Sequence, residues 1–221
     1  YILCQEEEML GINTLDDFNK VDEIYQNLLI RNLIEKGVKI IQPKTVRVSY
    51  DTQAGKNSII EPYVFLKNGV KIKNQVIVKS HSVLESSIIG KRSSIGPFAR
   101  LRPNSVIGEN VKIGNFVEIK NSKIGNKCTI SHLSYIGDSQ LGKNINIGAG
   151  TITCNFDGKN KNKTIIEDNV FIGTNTSLIA PVIIRKNSKT GAGSVIKKNI
   201  PSNSLVVGFD RLVKSMKRKK K

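Results

Sequence analysis

From about residue 60 an aliphatic side chain returns at every sixth position: Ile60, Leu66, Ile72, Val78 and Leu84. After a five-residue step the beat continues through Ile89, Ile95, Leu101, Ile107, Ile113 and Ile119. Further short steps lead to Ile124, Ile130 and Ile136, and then to Leu141 and Ile147. Beyond an interruption it resumes at Ile166, Ile172, Leu178, Ile184, Thr190 and Ile196. A period of six suits neither an α-helix nor a plain alternating strand. It suits a solenoid in which each hexad is one short strand and a corner, with three hexads to a coil. The aliphatic residue points inward and stacks on its equivalents. Roughly 24 units give about eight coils, and ~4.8 Å between stacked strands makes a prism near 38 Å tall.

Ahead of the beat the period changes to three and four. Phe18, Val21, Ile24, Tyr25, Leu28, Leu29 and Leu33 mark one helical face. Thr14 or Asn13 can cap the helix, and Asp16 and Asp17 fall in the first turn, where the dipole favours acids. Gly37 suits the position just past its end. The spacing predicts a helix over about 14–36. Aromatics amount to 5% of residues and Trp is absent, which fits a narrow interior built from Ile, Val and Leu.

The interruption, CNFDGKNKNKTI at 154–165, is polar and basic and contains the turn signal Asp157-Gly158. It leaves the prism as a loop. A loop that breaks a regular solenoid is a natural place for function, and a tolerated insertion is the alternative. The 35 Lys and Arg against 18 Asp and Glu give a formal charge of +17, which predicts acidic partners. The cations are spread through the repeats and aromatic stacking residues are scarce, so nucleic acid is not expected. Lys214 to Lys221 reads as a solvated basic end. Cys4, Cys128 and Cys154 are too scattered for a metal or disulfide framework, which suits a reducing cytoplasm. No apolar run is long enough to span a bilayer.

A solenoid has no deep cleft of its own. Of the two histidines, His81 and His132, the second lies off the inward beat in SHLSYIGD and faces out, with Tyr135 nearby. By composition alone it reads as a surface residue. Its chemistry also suits a general base near neutral pH.

The segments IGPFARLRP (95–103), IGNFVEIK (113–120), SHLSYIGD (131–138), NIGAGTITCNFDG (146–158) and the loop with Lys161 add a specific resemblance. In this order and spacing they closely resemble the acetyltransferase domain of bacterial N-acetylglucosamine-1-phosphate uridyltransferase/glucosamine-1-phosphate N-acetyltransferase. The resemblance covers nearly the whole chain. It implies a mainly β fold, a left-handed parallel β-helix of hexapeptide repeats preceded by an α-helical arm. It also implies a homotrimer with sites between subunits. The reaction it implies is acetyl-CoA-dependent N-acetylation of glucosamine-1-phosphate, a step in UDP-N-acetylglucosamine biosynthesis.

Residue by residue, the resemblance makes His132 the catalytic base. Arg102 and Lys120 become sugar-phosphate ligands, Tyr135 and Asn146 hold the amino sugar, and Lys161 adds a further sugar contact. Ala149, Asn155, Phe156, Thr174 and Ala192 fall on the acetyl-CoA side. Glu118 lies where it could orient His132. Phe156 stands where many members have Tyr, and Thr174 where Ser is common. The family's late CoA-site Arg has no match in register, and Arg211 is the offset candidate. The resemblance also makes residues 1–13 the end of a nucleotidyltransferase domain, with Asn13 a Mg²⁺ ligand in a longer parent that transfers uridylyl groups. In these residues Asn13 reads as a helix cap. The opening on Tyr1 rather than Met suits a fragment. The boundaries that follow are 14–40 for the arm, 41–205 for the β-helix and 206–221 for a basic tail. The other readings are an acyltransferase for a different acceptor and an inactive trimeric scaffold.

Overall fold

The computed structural model describes residues 9–215. It is a three-faced prism of short parallel strands. One face has eleven strands, the second nine and the third eight. Successive strands along the chain pass from face to face, so each strand pairs with the one about a coil later: Lys39–Ile40 with Ile59–Ile60, and Ser94–Ile95 with Lys112–Asn115. The nine-stranded face counts the coils, one more than the beat from residue 60 implies. Strands at Lys39–Ile40, Arg47–Val48 and Gln53–Ala54 precede the residues on which the beat is first clear. The longer connection between Ile40 and Val48, through the single turn Pro43–Thr45, conceals the period there.

Every residue on the sequence beat is at most 3% exposed, Thr190 included. Their inward stacking supplies the core, and a fully buried Ile or Leu contributes about 1.5–3 kcal/mol of transfer free energy. The beat also survives the interruption, because Thr153 is fully buried six residues after Ile147 and its hydroxyl accepts from the Gly137 amide. Each coil turns corners through left-handed residues, and Asn fills many of them because its short amide tolerates positive φ. At the corner between the third and first faces Asn144, Asn169, Asn187 and Asn203 bond amide to amide at 3.0–3.2 Å. The corner between the second and third faces is the tight one, where the beat loses a residue. Ser86, Asn121 and Asp138 turn it at φ 39–48°.

The helix spans Leu15–Glu35. Its cap is Thr14, not Asn13: the Thr14 hydroxyl accepts from the Asp17 amide while the Asp17 carboxylate accepts from the Thr14 amide. Gly37 follows the last turn at φ 84°. The helix docks on the first coil through buried Ile30 and Leu33. Gln26 brackets the Val48 backbone with two 3.0 Å bonds, and Arg47 makes a bidentate pair with Asp22 at 2.7 and 2.9 Å.

At the far end, strand Ser204–Val207 crosses the boundary placed at 205, and Arg211–Ser215 pairs back on it antiparallel. Residues 206–215 therefore join the first face rather than a solvated tail. The remaining basic residues of the tail, and Cys4, lie outside the described residues. Among the described residues no helix is long and apolar enough to cross a membrane.

Candidate active site

The corner between the first and second faces carries His132. Strand Thr129–His132 pairs with Lys112–Asn115, which sets Asn115 directly below His132. The His132 Nδ1 lies 2.5 Å from Asn115 Oδ1. An amide oxygen can only accept, so this pairing suits the Nδ1–H tautomer, which in the neutral ring carries its lone pair on Nε2. Ile130 pairs with Ile147 and Ile147 with Ile172, so Ala149 stands one coil above His132 and Thr174 a coil above that. Ala192 completes the column. Backbone bonds link its coils: Asn175 N to Ala149 O and Gly193 N to Thr174 O, both 2.7 Å. Gly148 beside Ala149 admits the next coil closely, since a Cβ there would lie 2.5 Å from the Thr174 nitrogen.

The neighbouring left-handed column changes character at the same level. Below His132 it holds Tyr63, His81, Phe98 and Phe116, with ring centroids 4.8–5.3 Å apart, and then Leu133. Phe116 is 56% and Leu133 61% exposed. Above, at Gly150, Asn175 and Gly193, the column is small or polar. His132 thus sits where a wall of exposed rings gives way to a smooth track of Ala149, Thr174 and Ala192. Arg211 opens the last strand opposite Val207, next to the top of this track.

The second face carries the charge. Leu101 pairs with Ile119, and Ile119 with Ile136, so Arg102 and Lys120 project from successive coils in one column. The next column holds Arg100, Glu118, Tyr135 and Ile152. Arg102 donates to Glu118 at 2.8 Å, and this hydrogen bond holds its guanidinium above the usual arginine range. Glu118 also faces Arg100 at 4.0 Å. It serves the cations, and the partner of the His132 ring is Asn115. Lys120 meets Lys161 of the loop. The contact with that second amine, and then burial, press the Lys120 pKa below its ordinary value.

The loop is self-supporting. Asp157 accepts from the amides of Lys159 and Asn160 and from the Asn162 side chain, and the Asn160 amide bond leads in holding its carboxyl below the usual range. Phe156 and Lys161 face each other across the loop, and Phe156 is 60% exposed. Asn155, largely buried, donates to Asp138. Asn146 lies on the first face, on the opposite side of the corner from Tyr135. Asn13 stands apart on the arm. No three His, Cys, Asp or Glu side chains converge as a metal site among the described residues.

The sequence residues thus form three groups: the His132 track, the cation column with Tyr135, and the loop with Asn155, Phe156 and Lys161. Asn115 and Asp138 belong with them and were not singled out from the sequence. Counting back 17 residues from His132 reaches the first, and the end of SHLSYIGD is the second. A groove of about 800 Å³ lies on the third face, lined by Asn121, Asp138 and Lys161 among others, and does not include His132.

The six-residue repeat and its three-faced prism define a hexapeptide-repeat β-helix domain. The bacterial transferase hexapeptide (six repeats) family matches residues 86–121 and 163–198. The bifunctional protein GlmU of Wolbachia pipientis is 44% identical over 213 residues, 96% of this chain and 50% of its own length. That of Thermodesulfovibrio yellowstonii is 46% identical over 224 residues, 94% of this chain and 50% of its own. The chain belongs to the family of these bifunctional proteins, as their C-terminal repeat half. It spans about half the length of the curated relatives it matches. Among solved structures, the UDP-N-acetylglucosamine acyltransferase LpxA of Bacteroides fragilis superposes with a TM-score of 0.58 at 18% identity, over 76% of this chain and 71% of its own. At that identity the likeness speaks for the fold, the left-handed parallel β-helix.

Proposed function

We propose that the domain transfers the acetyl group of acetyl-CoA to the amine of glucosamine-1-phosphate. The observation that carries this reading is the position of His132, between the smooth track and the stacked cations Arg102 and Lys120. The track of Ala149, Thr174 and Ala192 gives a long thioester substrate a surface without side-chain obstruction, with Arg211 near its far end. Arg102, Lys120 and Lys161 meet the sugar phosphate as paired cations. Tyr135 and Asn146 flank the amino sugar, and Asn155 and Phe156 border the acetyl side.

His132 Nε2 takes the proton from the attacking amine, while Asn115 fixes the ring through Nδ1. The nitrogen bonds to the thioester carbon, the C–S bond breaks, and His132 returns the proton to the departing thiol. The products are the N-acetyl sugar phosphate and CoA.

The working unit in this reading is a homotrimer. Tyr135 and Asn146 lie on two faces of an outward corner, and the exposed ring ladder from Tyr63 to Phe116 continues from that corner. A second copy seated against the ladder closes the site and covers the rings. Light scattering tests this, and an active monomer contradicts it. Uridylyl transfer and its Mg²⁺ are assigned to the half of the relatives that these residues do not span, because Asn13 offers a single donor and a phosphate-bound Mg²⁺ also needs a carboxylate. The setting is the cytoplasm. Acetyl transfer measured against a panel of amino and hydroxyl acceptors tests the substrate assignment.

A further inference from the structure

We infer that Asp138 is a positioning residue for the phosphosugar, the charged link that keeps Lys120 and the Lys161 loop set for an anion. This rests on the function proposed above.

Asn121, Asp138 and Asn155 follow three stacked strands, Glu118–Lys120, Tyr135–Gly137 and Ile152–Cys154, at the same point of the tight corner. The Asp138 carboxylate accepts from the side chain of Asn121 below, at 2.6 Å, and from that of Asn155 above. Its backbone joins the same parts: Asp138 N donates to Lys120 O, and Thr164 N to Asp138 O. Asn155 O in turn accepts from Asn162 N at 2.6 Å. Both ends of the loop carrying Lys161 are therefore tied to Asp138.

Stacking alone does not require an acid here. At the third corner the neutral amides Asn144, Asn169, Asn187 and Asn203 bond coil to coil in the same manner. What the carboxylate adds is charge, next to two ammonium groups that repel each other. Burial opposes ionisation of Asp138, but the Asn121 and Asn155 bonds and the two lysines outweigh it and keep the group ionised. The charges facing Lys120 are Lys161, Asp138 and Arg102, and Asp138 is the one that favours its protonated form.

The test is Asp138→Asn, which keeps the shape and an acceptor oxygen and removes the charge. Steady-state acetyl transfer is measured across pH, with thermal midpoints, alone and combined with Lys161→Ala. The expected result is an unchanged midpoint, a KM for glucosamine-1-phosphate raised about tenfold, and a KM for acetyl-CoA within twofold. The alkaline rise of the sugar KM should begin at lower pH than in the wild type. In the Lys161→Ala background the substitution should add less than twofold. An unchanged or lowered sugar KM, an unmoved alkaline limb, or a full tenfold effect on top of Lys161→Ala overturns the inference. If the wild-type chain does not acetylate this sugar, the proposed function fails. Asp138 is then judged by competitive amine labelling of Lys120 and Lys161 across pH, read by mass spectrometry. Faster labelling of Lys120 near neutral pH in Asp138→Asn supports the role, and equal labelling refutes it.

Discussion

Asn115 Oδ1 lies 2.5 Å from His132 Nδ1, one coil below it in the same corner column. The bond suits the Nδ1–H tautomer, so the rate should depend on both residues as a unit. His132→Ala is expected to lower kcat about 10²–10⁴-fold with little change in sugar binding. Asn115→Ala should lower kcat about tenfold, with both KM values nearly kept, and add nothing to His132→Ala. Initial rates for the three variants check this. A wild-type rate near neutral pH in His132→Ala would remove it as the base.

Arg102 and Lys120 stack on the second face, but they differ in titration. The Glu118 bond keeps Arg102 charged at all working pH values, whereas the neighbouring Lys161 presses Lys120 downward. A cation with a depressed pKa binds phosphate fully below that pKa and loses the contact as pH rises through it. The KM for the sugar phosphate should therefore climb on the alkaline side earlier than an ordinary lysine would allow, while that for acetyl-CoA stays flat. Arg102→Ala should raise the sugar KM more than the acetyl-CoA KM at every pH. An equal effect on both substrates counts against the assignment.

Ala192 is exposed at the upper end of the smooth track. Ala192→Tyr places a ring across it. The expected outcome is a KM for acetyl-CoA raised tenfold or more with the sugar KM within twofold, measured by varying each substrate at saturation of the other. Unchanged acetyl-CoA kinetics would place the thioester elsewhere.

Ile130 is fully buried directly inside the site strand. Ile130→Ala should cost about 2–5 kcal/mol, because the stacked neighbours close the space only in part. The readout is the thermal midpoint, and a shift of less than a degree would mean that the column relaxes freely.

The period of six made the prism legible, since one inward residue per hexad is all that a coil needs for burial, and Ile, Val and Leu supply it almost without exception. The first coils were harder to read because Ile40 and Val48 are separated by an extra turn. The final hairpin was obscured because basic residues such as Arg211 resemble a solvated end. The individual residues His132, Arg102 and Lys120 stood out by motif. Their grouping needed the coil length of 17 or 18 residues, which is what sets Asn115 beneath His132 and Ala149 above it. Asp138 is not legible in the sequence, because a short acid at a corner resembles any turn residue without its partners Asn121 and Asn155 from the coils below and above.

The most direct measurement is thiol release from acetyl-CoA by the purified chain with glucosamine-1-phosphate as acceptor, with the sugar product identified by mass. One equivalent of N-acetylglucosamine-1-phosphate per thiol, lost in His132→Ala, is the predicted result. No thiol release with this sugar, or release supported equally by a hydroxyl acceptor, would contradict the account.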